Sequence, residues 1–184
     1  MRAGFGITMG GYDDILGAVR KLRRSLAFRK QRWSARKVEV VQRTWKALQA
    51  RSPEATTVGL AILGRFFRKS PAFLQLFPFR DQPTDTLFLN AKVKLHAKLL
   101  ADTLSKVVGL VGDIPTAKSF LRELGDRHTR LYKVKPGHYK LMGEAVLEEV
   151  KAGLGEEGWT GEVEAAWNDT WAMISKAMQK GNKT

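Results

Sequence analysis

Three histidines are the residues best able to carry chemistry in this chain of 184 residues, which contains no cysteine. Without cysteine, neither a disulfide nor a thiolate can contribute to structure or catalysis. The sequence also lacks a glycine-rich phosphate loop, a Gly-x-Ser-x-Gly turn and the ligand spacing of a zinc site. Any metal or cofactor chemistry is therefore expected from imidazole, which binds metals in its neutral form.

His96 and His128 lie on consecutive predicted helices, each facing apolar neighbours at helical spacing. These neighbours are Val93, Leu99, Leu100 and Leu104 for His96, and Leu121, Leu124 and Leu131 for His128. A lone histidine in such a setting is usually a hydrogen-bonded core residue, whereas two on consecutive helices are equally consistent with core packing and with a shared metal or haem. The third, His138, follows Pro136-Gly137 and is predicted to be a solvated surface residue without a ligand role.

The hydrophobic pattern predicts a basic N-terminal helix followed by an all-α body of about seven segments, with no strand. Proline, glycine and capping residues mark the predicted ends. After the basic helix from Asp13, the predicted segments are one opened by Ser34, one from Ser52-Pro53-Glu54 to Ser70-Pro71, a short aromatic segment over Phe73–Phe79, one from about Leu87 to Val111, one opened by Asp113-Ile114-Pro115 and ending near Tyr132, and two at 137–153 and 160–179.

The net charge of +14 is concentrated near the N-terminus, because residues 1–38 hold ten basic and two acidic side chains. We predict a basic amphipathic extension over 1–33, one domain over 34–180 and a disordered tail over 181–184. No run of eighteen apolar residues and no short apolar signal core occurs, so a cytoplasmic protein is expected.

Three segments carry a resemblance to animal globins. The stretch 90–98, Asn-Ala-Lys-Val-Lys-Leu-His-Ala-Lys, resembles their distal-histidine helix, and 128–136, His-Thr-Arg-Leu-Tyr-Lys-Val-Lys-Pro, resembles their proximal-histidine segment. The stretch 69–77 resembles the segment that brings a phenylalanine against the haem, and Trp45 matches a common globin position. The likeness runs in order from Ser34 to Met178 and is strongest to vertebrate-type haemoglobins, cytoglobins and neuroglobins.

The resemblance implies a globin fold, a three-on-three helical sandwich around haem b. His128 would hold the iron, its other ring nitrogen donating to a backbone carbonyl one turn back. His96 would hydrogen-bond a bound ligand or occupy the iron itself, and the sequence leaves both open. The implied pocket walls are Phe77, Leu100, Leu124, Val134 and Leu141, with Leu63 and Phe67 behind the ligand.

Three positions depart from the usual globin pattern. Ala97 replaces a common glycine beside the distal histidine, and Leu100 is bulkier than the common valine, so ligand access is expected to be reduced. Tyr132 stands where many relatives have a histidine near a haem propionate, which puts that contact in doubt.

Three functions are compatible with the sequence, and two of them follow from one haem site. The first is reversible binding of oxygen, nitric oxide or carbon monoxide for storage, buffering or sensing. The second is redox activity toward nitric oxide, nitrite or peroxide, which requires a reductase because this chain has no flavin- or nicotinamide-binding segment. A third omits haem and leaves a basic helical interaction module. Whether the protein is an enzyme, and its oligomeric state, stay open.

The basic extension also has alternative interpretations. It could be a solvated tail, a surface that binds an anionic membrane through residues 13–37, or a target of a calmodulin-like partner. A mitochondrial transit peptide is a weaker alternative. Nucleic acid is disfavoured because the extension has few aromatic side chains beyond Phe28 and Trp33.

Overall fold

The computed structural model describes residue 17 and residues 33–51 and 54–181. The compact unit that carries the helices below begins at Ala35. Its helices are α1 Ala35–Arg51, α2 Ala55–Lys69, α3 Ala91–Leu110, α4 Ile114–Tyr132, α5 Pro136–Gly158 and α6 Gly161–Gly181. Two short 3₁₀ helices, Pro71–Leu76 and Leu87–Leu89, connect α2 to α3. No strand occurs in these ranges, and the all-α prediction is confirmed.

Some predicted features lie outside the described residues. These are the amphipathic N-terminal helix, the Ser52-Pro53 helix start and residues 182–184 of the predicted tail. Gly181, predicted to begin that tail, is the last residue of α6.

Polar side chains fix where α3 and α4 begin. The side chain of Asn90 accepts a hydrogen bond from the backbone N–H of Lys92 at 2.8 Å, and Asp113 accepts one from Thr116 at 3.2 Å. Such caps satisfy amide groups that have no partner inside the helix. The predicted α-helical start at Leu87 is therefore wrong, since Leu87–Leu89 form a 3₁₀ turn and Asn90 is extended, at φ −66° and ψ 132°.

Gly155 bends the C-terminal end of α5. Its φ of 74° and ψ of 172° lie outside the helical region, in a conformation that only glycine adopts easily. The sequence placed the end of this helix at residue 153, and the structure continues it past this kink to Gly158.

Two tryptophans join α1 to α6 at the centre of the core. Trp45 and Trp167 are 3% and 1% exposed, and their ring centroids lie 5.9 Å apart. The indole N–H of Trp167 donates to the hydroxyl oxygen of Thr44 at 2.9 Å, and that hydroxyl donates to the carbonyl of Val40 at 2.7 Å. The polar groups in this contact are thus hydrogen-bonded, as burial requires.

Two glycines bring helices into backbone contact beside the histidine-bearing segments. A Cβ atom placed on Gly59 of α2 would lie 1.9 Å from the carbonyl oxygen of Ala97, the residue after His96. A Cβ atom on Gly125 of α4 would lie 2.1 Å from the carbonyl oxygen of Met178 in α6. Side chains at these positions would push the helices apart, so the glycines set the positions of α3 and α4.

Within the described residues, no helix combines the length and apolar character needed to cross a membrane.

Candidate functional site

His128 is oriented by its own helix. Its Nδ1 atom lies 2.8 Å from the carbonyl oxygen of Leu124, one turn earlier in α4. Because a carbonyl can only accept, Nδ1 carries the hydrogen and the neutral ring presents the lone pair of Nε2. Burial lowers the pKa of His128, the Leu124 bond opposes that shift, and Arg127 adds to it. The predicted hydrogen bond to a carbonyl one turn back is confirmed.

The turn after α4 ties Val134 to the same histidine. The N–H of Val134 donates to the carbonyl of His128 at 3.3 Å, and the N–H of Lys133 donates to that of Thr129 at 3.2 Å. The Lys133 bond, which spans four residues, belongs to an arrangement that commonly ends helices, in which one residue is left-handed. Lys133 holds that conformation at φ 54°, which glycine usually occupies. This turn fixes Val134 next to the end of the His128 helix.

His96, in the second turn of α3, lies in an aromatic cluster. Its half-buried ring meets Phe77 edge-on at a centroid distance of 5.0 Å and Phe79 at 6.0 Å. Phe77 in turn contacts Phe67 of α2 edge-on at 5.1 Å. Burial lowers the pKa of His96, and the charge of His128 lowers it further. Both imidazoles therefore favour the neutral form, which is the form that binds metal.

The predicted wall residues come from six segments of the chain and differ in burial. Leu63 and Phe67 of α2 are in the core, at 0% and 7% exposure. The other five are only half-buried although apolar: Phe77, Leu100, Leu124, Val134 and Leu141. Such side chains provide apolar surface that a flat hydrophobic group could cover.

Two leucines that were predicted to lie on the same helix faces as His96 and His128 are instead exposed to solvent. Leu99 is 55% exposed and Leu131 is 62% exposed, so their placement beside His96 and His128 is wrong. At 100° per residue, Val93 and Leu99 lie roughly 60° to opposite sides of His96. Val93 is fully buried, which turns Leu99 to solvent. Leu131 lies in the last turn of α4, next to Tyr132, which is 46% exposed.

His138 is a half-buried capping residue, and its prediction as a solvated side chain is wrong. Its ring lies 4.3 Å from that of Phe73, and its Nδ1 atom accepts a hydrogen bond from the N–H of Lys135 at 3.1 Å. The first amides of a helix have no internal acceptor, and this imidazole supplies one to the residue that precedes α5.

Sequence reasoning missed several contributors to the site. Phe79 was noted only as part of an aromatic segment, yet it is 2% exposed and stacks on Phe77 at 5.1 Å. Gly59 and Gly125 were not singled out, although glycine inside a helix costs about 1 kcal/mol and often signals a close contact. No cluster of three or more His, Cys, Asp or Glu that could hold a metal ion occurs in the described part of the chain.

A family model described as Globin matches residues 60–178, a span that includes both His96 and His128. The chain belongs to the globin family. The globin fold predicted from the sequence is confirmed by this match and by solved structures of the same fold.

The similarity of this globin to individual relatives is moderate but extends over most of both chains. Cytoglobin-1 of Danio rerio is 27% identical over 143 residues, covering 77% of this chain and 80% of that protein. A protein of Gossypium hirsutum named as an anaerobic nitrite reductase is 25% identical and covers 76% and 87%. A hexacoordinated haem protein from an anhydrobiotic tardigrade superposes with a TM-score of 0.74 at 16% identity, covering 84% and 98%.

Haem is the group that membership of the globin family implies, and the residues present fit it. The hydrogen bond from Nδ1 of His128 leaves Nε2 as a free metal ligand, which is the usual arrangement for metal-binding histidines. A second imidazole, His96, lies on the preceding helix against Phe77, and burial lowers its pKa so that it favours the neutral form. Half-buried apolar side chains from α3, α4 and α5 could cover a porphyrin, and apolar surroundings control solvent access to an iron site.

Proposed function

We propose that this globin binds haem b through His128 and reversibly binds oxygen, nitric oxide or carbon monoxide on the side of His96. Storage, buffering or sensing of such a ligand is the function that the arrangement supports best. The observation that carries the proposal is the 2.8 Å bond between Nδ1 of His128 and the carbonyl of Leu124. It holds one imidazole in the tautomer and orientation that metal binding requires, on the helix that follows the one carrying His96.

Haem held by a single imidazole supplies an open coordination position for a diatomic ligand. The residues of this chain would control that position. The neutral ring of His96 has one N–H that can donate a hydrogen bond and one nitrogen that can bind metal. Phe77 and Phe67 restrict the space around His96, because their rings form a continuous edge-to-face stack with it. Leu100, bulkier than valine, would narrow the approach further.

A redox function is the alternative, as a nitric oxide dioxygenase, nitrite reductase or peroxide scavenger. Two similarities support this alternative: one to a plant protein named a nitrite reductase, and one to a haem protein named hexacoordinated. In that case His96 would occupy the sixth position of the iron when no ligand is present. Turnover would require an external reductase, and consumption of nitric oxide with a supplied reductant would distinguish the two functions.

The proposal for the N-terminal part is separate from the haem site. We propose that residues 1–33 form an extension to the globin domain of residues 34–180, and that residues 13–37 bind an anionic membrane surface from the cytoplasmic side. Its support is the excess of ten basic over two acidic side chains in residues 1–38. Each basic side chain near such a surface contributes about 1 kcal/mol of attraction.

The experiment for the haem site replaces His128 with a residue that leaves a space for imidazole. The His128→Gly variant is expected to purify without stoichiometric haem and to recover a haem spectrum when free imidazole is added. His138→Ala is the matched control, since it also removes one half-buried histidine and should retain haem. Full haem retention by His128→Gly without imidazole would contradict the proposal.

A further inference from the structure

A second concave site lies on the face between α5 and α6. The groove has a volume of about 1000 Å³, which is at the upper end of the range for small-molecule sites. Apolar side chains form much of its floor, among them Leu147 and Trp171. The indole N–H of Trp171 is already used, because it donates to the carbonyl of Tyr139 at 2.9 Å. The floor therefore offers an aromatic and aliphatic surface.

Gly143 makes room for that tryptophan. A Cβ atom on Gly143 would lie 2.0 Å from the indole nitrogen of Trp171, so any other residue would displace the ring. The ring is thus packed against α5 and fixed in place. The neighbouring polar side chains are also engaged, since Asn168 donates to the carbonyl of Glu164 and Gln179 donates to Ser175. A preorganised floor of this kind binds without first having to be ordered.

Lysines stand on both sides of the groove. Lys135 and Lys140 line it near the start of α5, and Lys176 and Lys180 line it on α6. None of the four forms an ion pair with a carboxylate in the part of the chain that the structure describes. The acidic side chain of the lining, Glu144, lies 3.4 Å from the ammonium of Lys69.

The positive charge extends beyond the groove onto α4. Repulsion from Lys180, Arg122 and Lys176 adds to burial in lowering the pKa of Lys118. Lys176 and Lys180 are also four residues apart on one helix, where like charges destabilise the helix by a few tenths of a kcal/mol. Cations gathered in this way without carboxylate partners create a local field that attracts anions.

We propose that this groove binds an anionic amphiphile, a molecule with one carboxylate or phosphate head and an aliphatic tail. Lys176 and Lys180 hold the head, and the tail lies along Trp171 and Leu147. A second copy of this chain is a poor occupant because the same lysines would face each other. A purely polar anion would leave the apolar floor unused. The groove is distinct from the predicted haem pocket, because Val134 is the one predicted wall residue that also lines the groove.

The test measures binding to the full-length protein by calorimetry. The ligands each have a single alkyl chain and are kept below the concentration at which they form micelles. Dodecanoate and dodecyl phosphate are expected to bind at one molecule per chain. Inorganic phosphate lacks the tail and dodecanol lacks the charge, so each should bind at least about tenfold more weakly. Equal affinity for inorganic phosphate and dodecyl phosphate would overturn the role of the groove floor.

Variants then locate the site. Lys176→Glu combined with Lys180→Glu should weaken dodecanoate binding by about tenfold or more. The matched control reverses two exposed lysines outside the groove, Lys46→Glu with Lys92→Glu, and should leave the affinity within about threefold. Ala172→Glu places a carboxylate at an exposed position of the groove lining and should also weaken binding. An unchanged affinity in the groove variants, or an equal loss in the control, would overturn the proposal.

Two further measurements separate this inference from its alternatives. Haem content is measured in every sample, so absence of amphiphile binding by the unchanged protein with haem intact overturns the groove alone and leaves the proposed function standing. Vesicles containing phosphatidic acid are tested in parallel with the single-chain ligands. Binding to vesicles with no binding of dodecanoate or dodecyl phosphate would assign these lysines to a membrane surface and overturn the proposal.

Discussion

His128 donates from Nδ1 to the carbonyl oxygen of Leu124 at 2.8 Å, so its ring orientation is set within one turn of its own helix. The same histidine accepts, through its backbone carbonyl, the N–H of Val134 at 3.3 Å. One residue thereby connects the end of α4 to the first residues that lead into α5. The site is held by short-range hydrogen bonds on one side and by helix packing through glycines on the other.

Replacing His96 with leucine should preserve haem binding, because His128 is unchanged. The variant loses the N–H that can stabilise a bound diatomic ligand, and a hydrogen bond of this kind contributes about 1 kcal/mol or more. Oxygen dissociation is therefore expected to become at least about fivefold faster, measured by rapid mixing. Leu99→Gln is the control on the same helix, since Leu99 is 55% exposed and should have no effect. Unchanged dissociation in His96→Leu would remove His96 from ligand binding.

Replacing Gly59 with alanine should destabilise the protein by about 2 kcal/mol or more, the range of steric overpacking. The added Cβ would lie 1.9 Å from the carbonyl oxygen of Ala97 and displace α3. Gly64→Ala on the same helix is the control, because the closest atom to its Cβ would be a guanidinium nitrogen of Arg68 at 3.5 Å. That control should be neutral or gain up to about 1 kcal/mol from higher helix propensity. Chemical denaturation measures both, and equal effects would refute the contact.

Replacing Lys133 with glycine should stabilise the protein by up to about 1 kcal/mol. Lys133 has φ 54°, a region that costs an L-residue roughly 1–2 kcal/mol, and glycine would remove this cost. Glycine also raises the conformational entropy of the unfolded chain, which cancels part of the added stability. Thermal unfolding provides the measurement. A lower melting temperature than that of the unchanged protein would show that the lysine side chain contributes more than its backbone conformation costs.

The stability of the haem-free protein should fall as the pH decreases from 7.5 to 5.5. Burial lowers the pKa values of His96 and His128 below the ordinary value of 6.5. Between the folded-state pKa values and 6.5, these imidazoles are therefore protonated in the unfolded chain but not in the folded chain. The stabilisation is complete above about pH 6.5 and is lost as the pH falls toward the folded-state pKa values. Unfolding free energies at both pH values test this, and the double variant His96→Leu with His128→Leu should show a smaller drop. Constant stability in the unchanged protein would contradict the lowered pKa values.

The sequence was informative where local chemistry decides the structure. The cap at Asp113, the helical character of the chain and the hydrogen bond of His128 each depend on residues within one turn of one another. Exposure of Leu99 and the capping role of His138 could not be derived, because they depend on how each helix is rotated against its neighbours. The contact between Gly59 and Ala97 joins residues far apart in sequence and leaves only an unexplained glycine inside a helix as its signal.

The groove between α5 and α6 illustrates the same limit. Its lysines are spread over residues 135–180, and nothing in their spacing indicates that they line one cavity. Most of the excess positive charge lies in residues 1–38 of the sequence. The basic surface formed by the groove lysines is therefore not evident from the charge distribution along the chain. Trp171, packed over Gly143, forms part of the apolar floor that these lysines line, and this contact joins residues far apart in sequence.

The most direct test of the haem site is a titration of the haem-free protein with haem, followed by absorption before and after dithionite. A sharp Soret band that saturates at one haem per chain is the predicted result. In the reduced protein, one broad visible band would mean an open position beside His96, and two sharp bands would mean that His96 binds the iron. Absence of a saturable band at one haem per chain would contradict the account and leave a basic helical module as the remaining interpretation.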